Sequence, residues 1–201
     1  WEALGFGQIL AAANVAISNN SNYLCWNTMN DFPEGSHIGV SKNNLRNWLD
    51  IVSYFNVWFK TRTPPTLVRT VTYVANRKHM LLGNTTIFTS TQDKFQQRES
   101  GTALSDVVDV LVFAAQSVDV TVTVGGVSTA FNGLAAGVQR CTVSARVGAV
   151  SVSVKAAGTG TVVDSVISRF PILGTTNLQD GAYYITGSKE NHPDRPALYI
   201  G

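Results

Sequence analysis

Two carboxylates, an amide, a histidine and an indole fall within twelve residues of one another in this chain: Trp26, Asn30, Asp31, Glu34 and His37. Asp31 and Glu34 stand three residues apart. A pair at that spacing can share a proton or accept hydrogen bonds from sugar hydroxyls. Each residue alone also has a plain structural reading. Asp31 suits a turn or a helix N-cap, Pro33 and Gly35 break the chain, and His37 suits a satisfied surface position.

These side chains need elements to hold them. The apolar run Tyr23-Leu24-Cys25-Trp26 precedes them and reads as a short buried strand. Ile9, Leu10, Ala13, Ala16 and Ile17 recur at helical spacing, and Asn19 and Asn20 end that pattern. After the polar stretch, Leu45, Trp48, Leu49, Val52, Phe55, Trp58 and Phe59 predict a second helix over 41–60. Ser41 is its expected N-cap, and Pro64-Pro65 end it. The aromatic stripe on this helix reads as core, not as a ligand groove. A helix followed by a short, non-alternating strand makes one αβ step of a parallel barrel or sheet, and a barrel's chemistry sits on the loops after the strands. Glu2 would then lie on the same rim as Asp31 and Glu34.

The stretch Thr28-Met29-Asn30-Asp31-Phe32-Pro33-Glu34-Gly35-Ser36-His37-Ile38-Gly39 resembles the signature near the end of the barrel in glycoside hydrolase family 71, the α-1,3-glucanases called mutanases. The usual form there is T-W-N-D-[YF]-G-E-S-H-Y-I-G. This chain keeps Asn30, Asp31, Phe32, Glu34, His37, Ile38 and Gly39. It departs at Met29 and Pro33, and Gly35 shifts the Ser-His pair by one. A second block, Tyr54 to Lys60 with Trp58 and Phe59, resembles the family's Y-x-x-x-W-[YF]-K helix end. Asn76-Arg77-Lys78-His79 resembles its Y-R-x-H. The match is collinear over residues 1 to about 80.

The resemblance implies part of an enzyme that hydrolyses α-1,3-glucan with paired carboxylates. Asp31 and Glu34 are the candidate catalytic residues; Glu2, Trp26, Asn30 and His37 are candidate substrate-binding residues. A barrel draws its site from several strands, so in the other reading the catalytic pair lies upstream of residue 1 and Asp31 and Glu34 shape the cleft. The chain's start at Trp1-Glu2 and its end at Leu198-Tyr199-Ile200-Gly201 read as the interior of a longer polypeptide. The rest of the barrel is then an expected partner, and this chain alone is expected to be inactive.

Beyond Pro65 the composition changes. Val68 to Val74 alternates, and strand patterns recur at 85–89, 106–114, 119–124, 127–131, 138–145, 149–155 and 162–168. Glycine-rich turns separate them, and Gly125-Gly126 predicts a two-residue hairpin. These features predict an antiparallel sandwich over 64–170. Residues 171–201 read as a linker and the start of a further element, with Tyr183 to Thr186 a candidate strand. The expected fold class is thus α/β plus all-β: the last βα units of a TIM-type (β/α)8 barrel followed by a β-sandwich.

The 201 residues are 44% hydrophobic and 14% charged, with a net charge of +2. That composition fits a globular chain and argues against nucleic acid as a partner, since no basic run is present. The longest apolar runs are too short to span a bilayer. The three histidines have no companions at metal-ligand spacing, and no cofactor is implied. Cys25 and Cys141 lie in strand-like runs and read as two buried free thiols. Asn19-Asn20-Ser21 and Asn84-Thr85-Thr86 match the glycosylation pattern. Low charge with abundant Val, Thr, Ser and Gly suits an extracellular or virion-surface protein. The alternative function is therefore a non-catalytic glycan-binding or structural module of a surface or virion fibre, homo-oligomeric in the second case.

Overall fold

The computed structural model describes residues 5–31, 37–80, 105–174, 181–190 and 199–200. Among these described residues two helices come first, α1 (Gly7–Ser18) and α2 (Asn47–Thr61). Ten strands follow: β1 (Thr66–Leu67), β2 (Val71–Asn76), β3 (Val107–Ala114), β4 (Val118–Val124), β5 (Val127–Leu134), β6 (Gly137–Ser144), β7 (Val150–Ala156), β8 (Val162–Ile167), β9 (Tyr184–Gly187) and β10 (Tyr199–Ile200). Sheet I has the order β6-β3-β2-β9 and sheet II the order β5-β4-β7-β8, every pair antiparallel. A two-stranded ribbon joins β1 and β10.

Hydrophobic patterning decides the layers. Along β4 buried valines alternate with half-buried Asp119, Thr121 and Thr123, so sheet II is covered on one face only. In β3 every residue from Val108 to Ala114 is buried, and β2 is buried throughout. The central strands of sheet I are therefore covered on both faces, whereas the edge strand β6 is largely open. Val108, Val110 and Val112 meet Val118, Val120, Val122, Val152 and Val154 of sheet II in one cluster. Leu111 and Phe113, on the opposite face of β3, join Phe6, Ile9, Ala13, Ile51, Val52, Tyr54 and Phe55 of the helices in a second. The aromatic stripe of α2 is core, as expected: Tyr54 meets Phe113 edge-on at 5.0 Å between ring centroids.

The β/α barrel expected for residues 1–63 is not present; the described chain is mostly antiparallel sheet with two short helices, a sandwich-like fold. The expected strand Tyr23–Trp26 does not form, and Tyr23 is 89% exposed. Without a parallel strand between them, α1 and α2 pack side by side on sheet I and supply an outer layer. The periodicity that suggested a barrel wall was the same apolar stripe, which a helix needs against any sheet.

Local boundaries also moved for physical reasons. Helix α2 starts at Asn47, not near Ser41, because Leu45 adopts φ +47° and closes a turn back to the Ser41 carbonyl at 2.8 Å. It ends with Arg62 at φ +60°, whose N–H reaches the Trp58 carbonyl at 2.8 Å. The alternation over 68–74 resolves into β2 at 71–76. Strands β3 to β8 lie where the patterns over 106–168 placed them, whereas the candidate at 85–89 lies outside the described residues. Strand β9 covers 184–186 of the candidate at 183–186, extends to Gly187 and pairs with β2. Both cysteines are free thiols, but Cys25 is exposed and only Cys141 is buried.

Candidate functional site

Trp26, Asn30, Asp31 and His37 lie on a loop between the helices that folds back on itself. The Ile38 and Gly39 N–H groups donate to the Thr28 and Met29 carbonyls, both at 2.9 Å. A Cβ on Gly39 would stand 2.5 Å from the Met29 carbonyl oxygen, so close pairing of the two arms requires glycine there. At the foot of the loop the Trp26 indole N–H donates to Asn56 Oδ1 of α2 at 2.7 Å. The Trp26 ring is half-buried against the helical core. Trp26 thus anchors the loop, and part of its surface is taken up by packing.

Within the loop, the Asp31 N–H donates to Thr28 Oγ1 at 3.0 Å and Asp31 stays half-buried. His37, 5% exposed, has its Nε2 2.8 Å from Ser41 Oγ. The Asn43 N–H donates to the same hydroxyl at 3.2 Å, which leaves its proton able to point at the imidazole. Burial lowers the His37 pKa below its ordinary value, and the nearby Asp31 carboxylate partly offsets that shift. The loop therefore holds a neutral imidazole at neutral pH within electrostatic reach of a carboxylate. Asn30 is exposed beside them.

Glu2 and Glu34 lie outside the described residues. The structure thus brings Asp31 and His37 together, sets Asn30 beside them and places Trp26 at the base. Ser41 is a further member that sequence reasoning read as a helix cap. Its four-residue spacing from His37, with an intervening glycine to bend the chain, was the available signal. The Asn76-Arg77-Lys78-His79 block is architectural instead. Arg77 lies 4.1 Å over the Tyr183 ring and donates to the Ser105 and Gly181 carbonyls, both at 2.7 Å. Asn76 Oδ1 accepts from Ser168 Oγ at 2.7 Å. The block ties β2 to the segments around β3, β8 and β9.

Among the described residues no group of three or more His, Cys, Asp and Glu side chains could hold a metal ion. None of their helices is long and apolar enough to cross a membrane. Comparison of the chain with protein-family models, curated proteins and solved structures finds no match.

Proposed function

We propose that this chain is the glycan-facing unit of a polysaccharide-acting hydrolase, and that its loop from Trp26 to Gly39 contacts α-1,3-linked glucan. The observation that supports this reading is the joint placement of Asp31 and His37 on a loop closed by the Thr28–Ile38 and Met29–Gly39 hydrogen bonds. These are also the residues on which the resemblance to the α-1,3-glucanases rests. An ionised carboxylate accepts two sugar hydroxyls, and a neutral imidazole adds a polar contact without a competing charge. Asp31 in this role orients substrate. Hydrolysis needs a second carboxyl at a matched distance, and Glu34 is its candidate. Glucan of this kind is met outside the cell, so the reading carries an extracellular location with it.

Co-sedimentation with insoluble α-1,3-glucan, with reducing-sugar release followed on the same sample, tests the proposal. The chain is expected to sediment with the glucan and to release no sugar by itself. Asp31→Asn should weaken binding about tenfold, the effect of about 1.4 kcal/mol. If native chain and variant stay equally in the supernatant, the loop does not bind this glucan.

A second reading, a structural module joining subunits of a surface fibre, is favoured by the outer face of sheet II. Thr121, Thr123, Ser151, Ser153 and Ser165 put small hydroxyls there beside Asp119, Lys155 and the exposed Ile167, and these offer no ring for a sugar to stack on. Sedimentation equilibrium separates the two, since a joining module self-associates at micromolar concentration and a loop-borne glycan site does not require it.

A further inference from the structure

Strands β5 and β6 are consecutive, yet they belong to different sheets, and each is an edge strand. They are joined through Ala135-Ala136 at one end. Toward the other end an open cleft of about 280 Å³ lies between them. Val124, Val127 and Val143 give it apolar walls, and Thr129, Thr142, Ser144 and Arg146 complete the lining. The cleft shares no residue with the loop from Trp26 to Gly39.

Arg146 is held there by the packing of two turns. The Gly125 N–H of the β4–β5 hairpin donates to the Ala149 carbonyl at 3.0 Å, which draws the β6–β7 connection against the hairpin. Arg146 Cβ stands 3.2 Å from where a Gly125 Cβ would be. The guanidinium makes no salt bridge or side-chain hydrogen bond to any other described residue. The Thr142 hydroxyl is turned toward Asp109 Oδ1 at 3.4 Å, but those of Thr129 and Ser144 make no hydrogen bond with another described side chain.

A lone guanidinium matches one carboxylate in a bidentate pair, whereas a phosphate dianion would call for a second cation that this lining lacks. Two hydroxyls suit a ligand with hydroxyls of its own, and three valines suit its apolar C–H face. The volume is small enough to limit the ligand to about one ring. We propose that the cleft between β5 and β6 binds a hydroxylated carboxylate of the uronic acid class, with Arg146 on the carboxylate and Thr129 and Ser144 on the hydroxyls.

Titration of the full ¹⁵N-labelled chain with sodium glucuronate, followed by amide shifts, tests this. Saturable shifts are expected at Val127, Thr129, Val143, Ser144 and Arg146. Arg146→Gln should weaken binding at least tenfold with the remaining spectrum unchanged, since this exposed side chain holds no other element in place. Thr129→Val with Ser144→Ala should weaken glucuronate while leaving any binding of acetate unaltered. Glucose, without the carboxylate, should bind at least tenfold more weakly. Acetate binding as tightly as glucuronate would reduce the cleft to a nonspecific anion site and overturn the proposal. So would shifts confined to other residues, or an unchanged affinity in Arg146→Gln.

Discussion

The Asp109 carboxylate accepts a hydrogen bond from the Phe6 N–H at 2.7 Å, although 103 residues separate the two. Asp109 is fully buried on the helix-facing side of β3, and Phe6 is the residue from which α1 starts. The first N–H groups of a helix have no partner within it, and a negative charge there is favourable. Arg140 on β6 balances that charge at 2.9 Å while remaining about one-third exposed. The start of α1 is therefore fixed by sheet I. Asp109→Ala should leave the buried Phe6 N–H unsatisfied and destabilise the fold by about 1–3 kcal/mol. Urea unfolding of the two proteins measures it, and an unchanged midpoint would mean that water replaces the carboxylate.

Gly5 tests the same junction from the other side. Its φ is +59°, and a Cβ there would stand 2.5 Å from Asp109 Oδ2. Gly5→Ala combines a left-handed backbone with a collision against a buried group. A loss of about 1–3 kcal/mol is expected, visible as a lower thermal midpoint. At the β4–β5 hairpin the contrast is internal. Gly125 and Gly126 both have positive φ, as a two-residue hairpin turn requires. A Cβ at Gly125 would meet the Val147 carbonyl oxygen, whereas one at Gly126 meets nothing within 4 Å. Gly126→Ala should thus cost only the backbone strain, about 1–2 kcal/mol, and Gly125→Ala clearly more. Equal losses in denaturant titrations would show that the β6–β7 connection moves aside.

Two titrating groups push stability in opposite directions with pH. Burial raises the Asp109 pKa, against the opposing pull of Arg140, the Phe6 N–H and Thr142. Its charged form is penalised in the fold, so this group's contribution grows as pH falls through its raised pKa. Burial lowers the His37 pKa from its ordinary 6.5. The fold resists protonating it, so stability is lost as pH falls from about 6.5 through the lowered value. His37→Gln should therefore narrow its stability gap to the native chain as pH drops from 7 to 5. Asp109→Asn should widen its gap over the acid range. Denaturant midpoints at three pH values in that interval check both signs.

The thiols should separate kinetically. Cys25 is exposed, whereas burial and the neighbouring Asp109 charge push the Cys141 pKa up to about 11. The thiolate is the reactive form. One equivalent of an aromatic disulfide reagent should react rapidly at pH 8, and the second only after unfolding. Two rapid equivalents would mean that the space between the sheets opens readily.

The strands β3 to β8, the hairpin at Gly125-Gly126 and the inward stripes of both helices were legible in the order of residues. Those features rest on local periodicity and on turns that only glycine makes easily. Asp109 is a single charge in the apolar run from Val107 to Ala114. What Asp109 does was decided by tertiary structure, because its partners Phe6 and Arg140 come from distant segments. The same holds for the helices. An apolar stripe states that a face must be buried, not whether a parallel barrel or an antiparallel sheet will bury it. Tyr23 to Trp26 had the residue types of a buried strand, but among the described residues no strand offers it a ladder, and Trp26 found its partner on α2 instead. Asp31 and His37 were legible as a polar cluster from spacing alone. The backbone pairing of Thr28 and Met29 with Ile38 and Gly39, which holds them, needed the chain to return, and only the folded structure places both arms of that return.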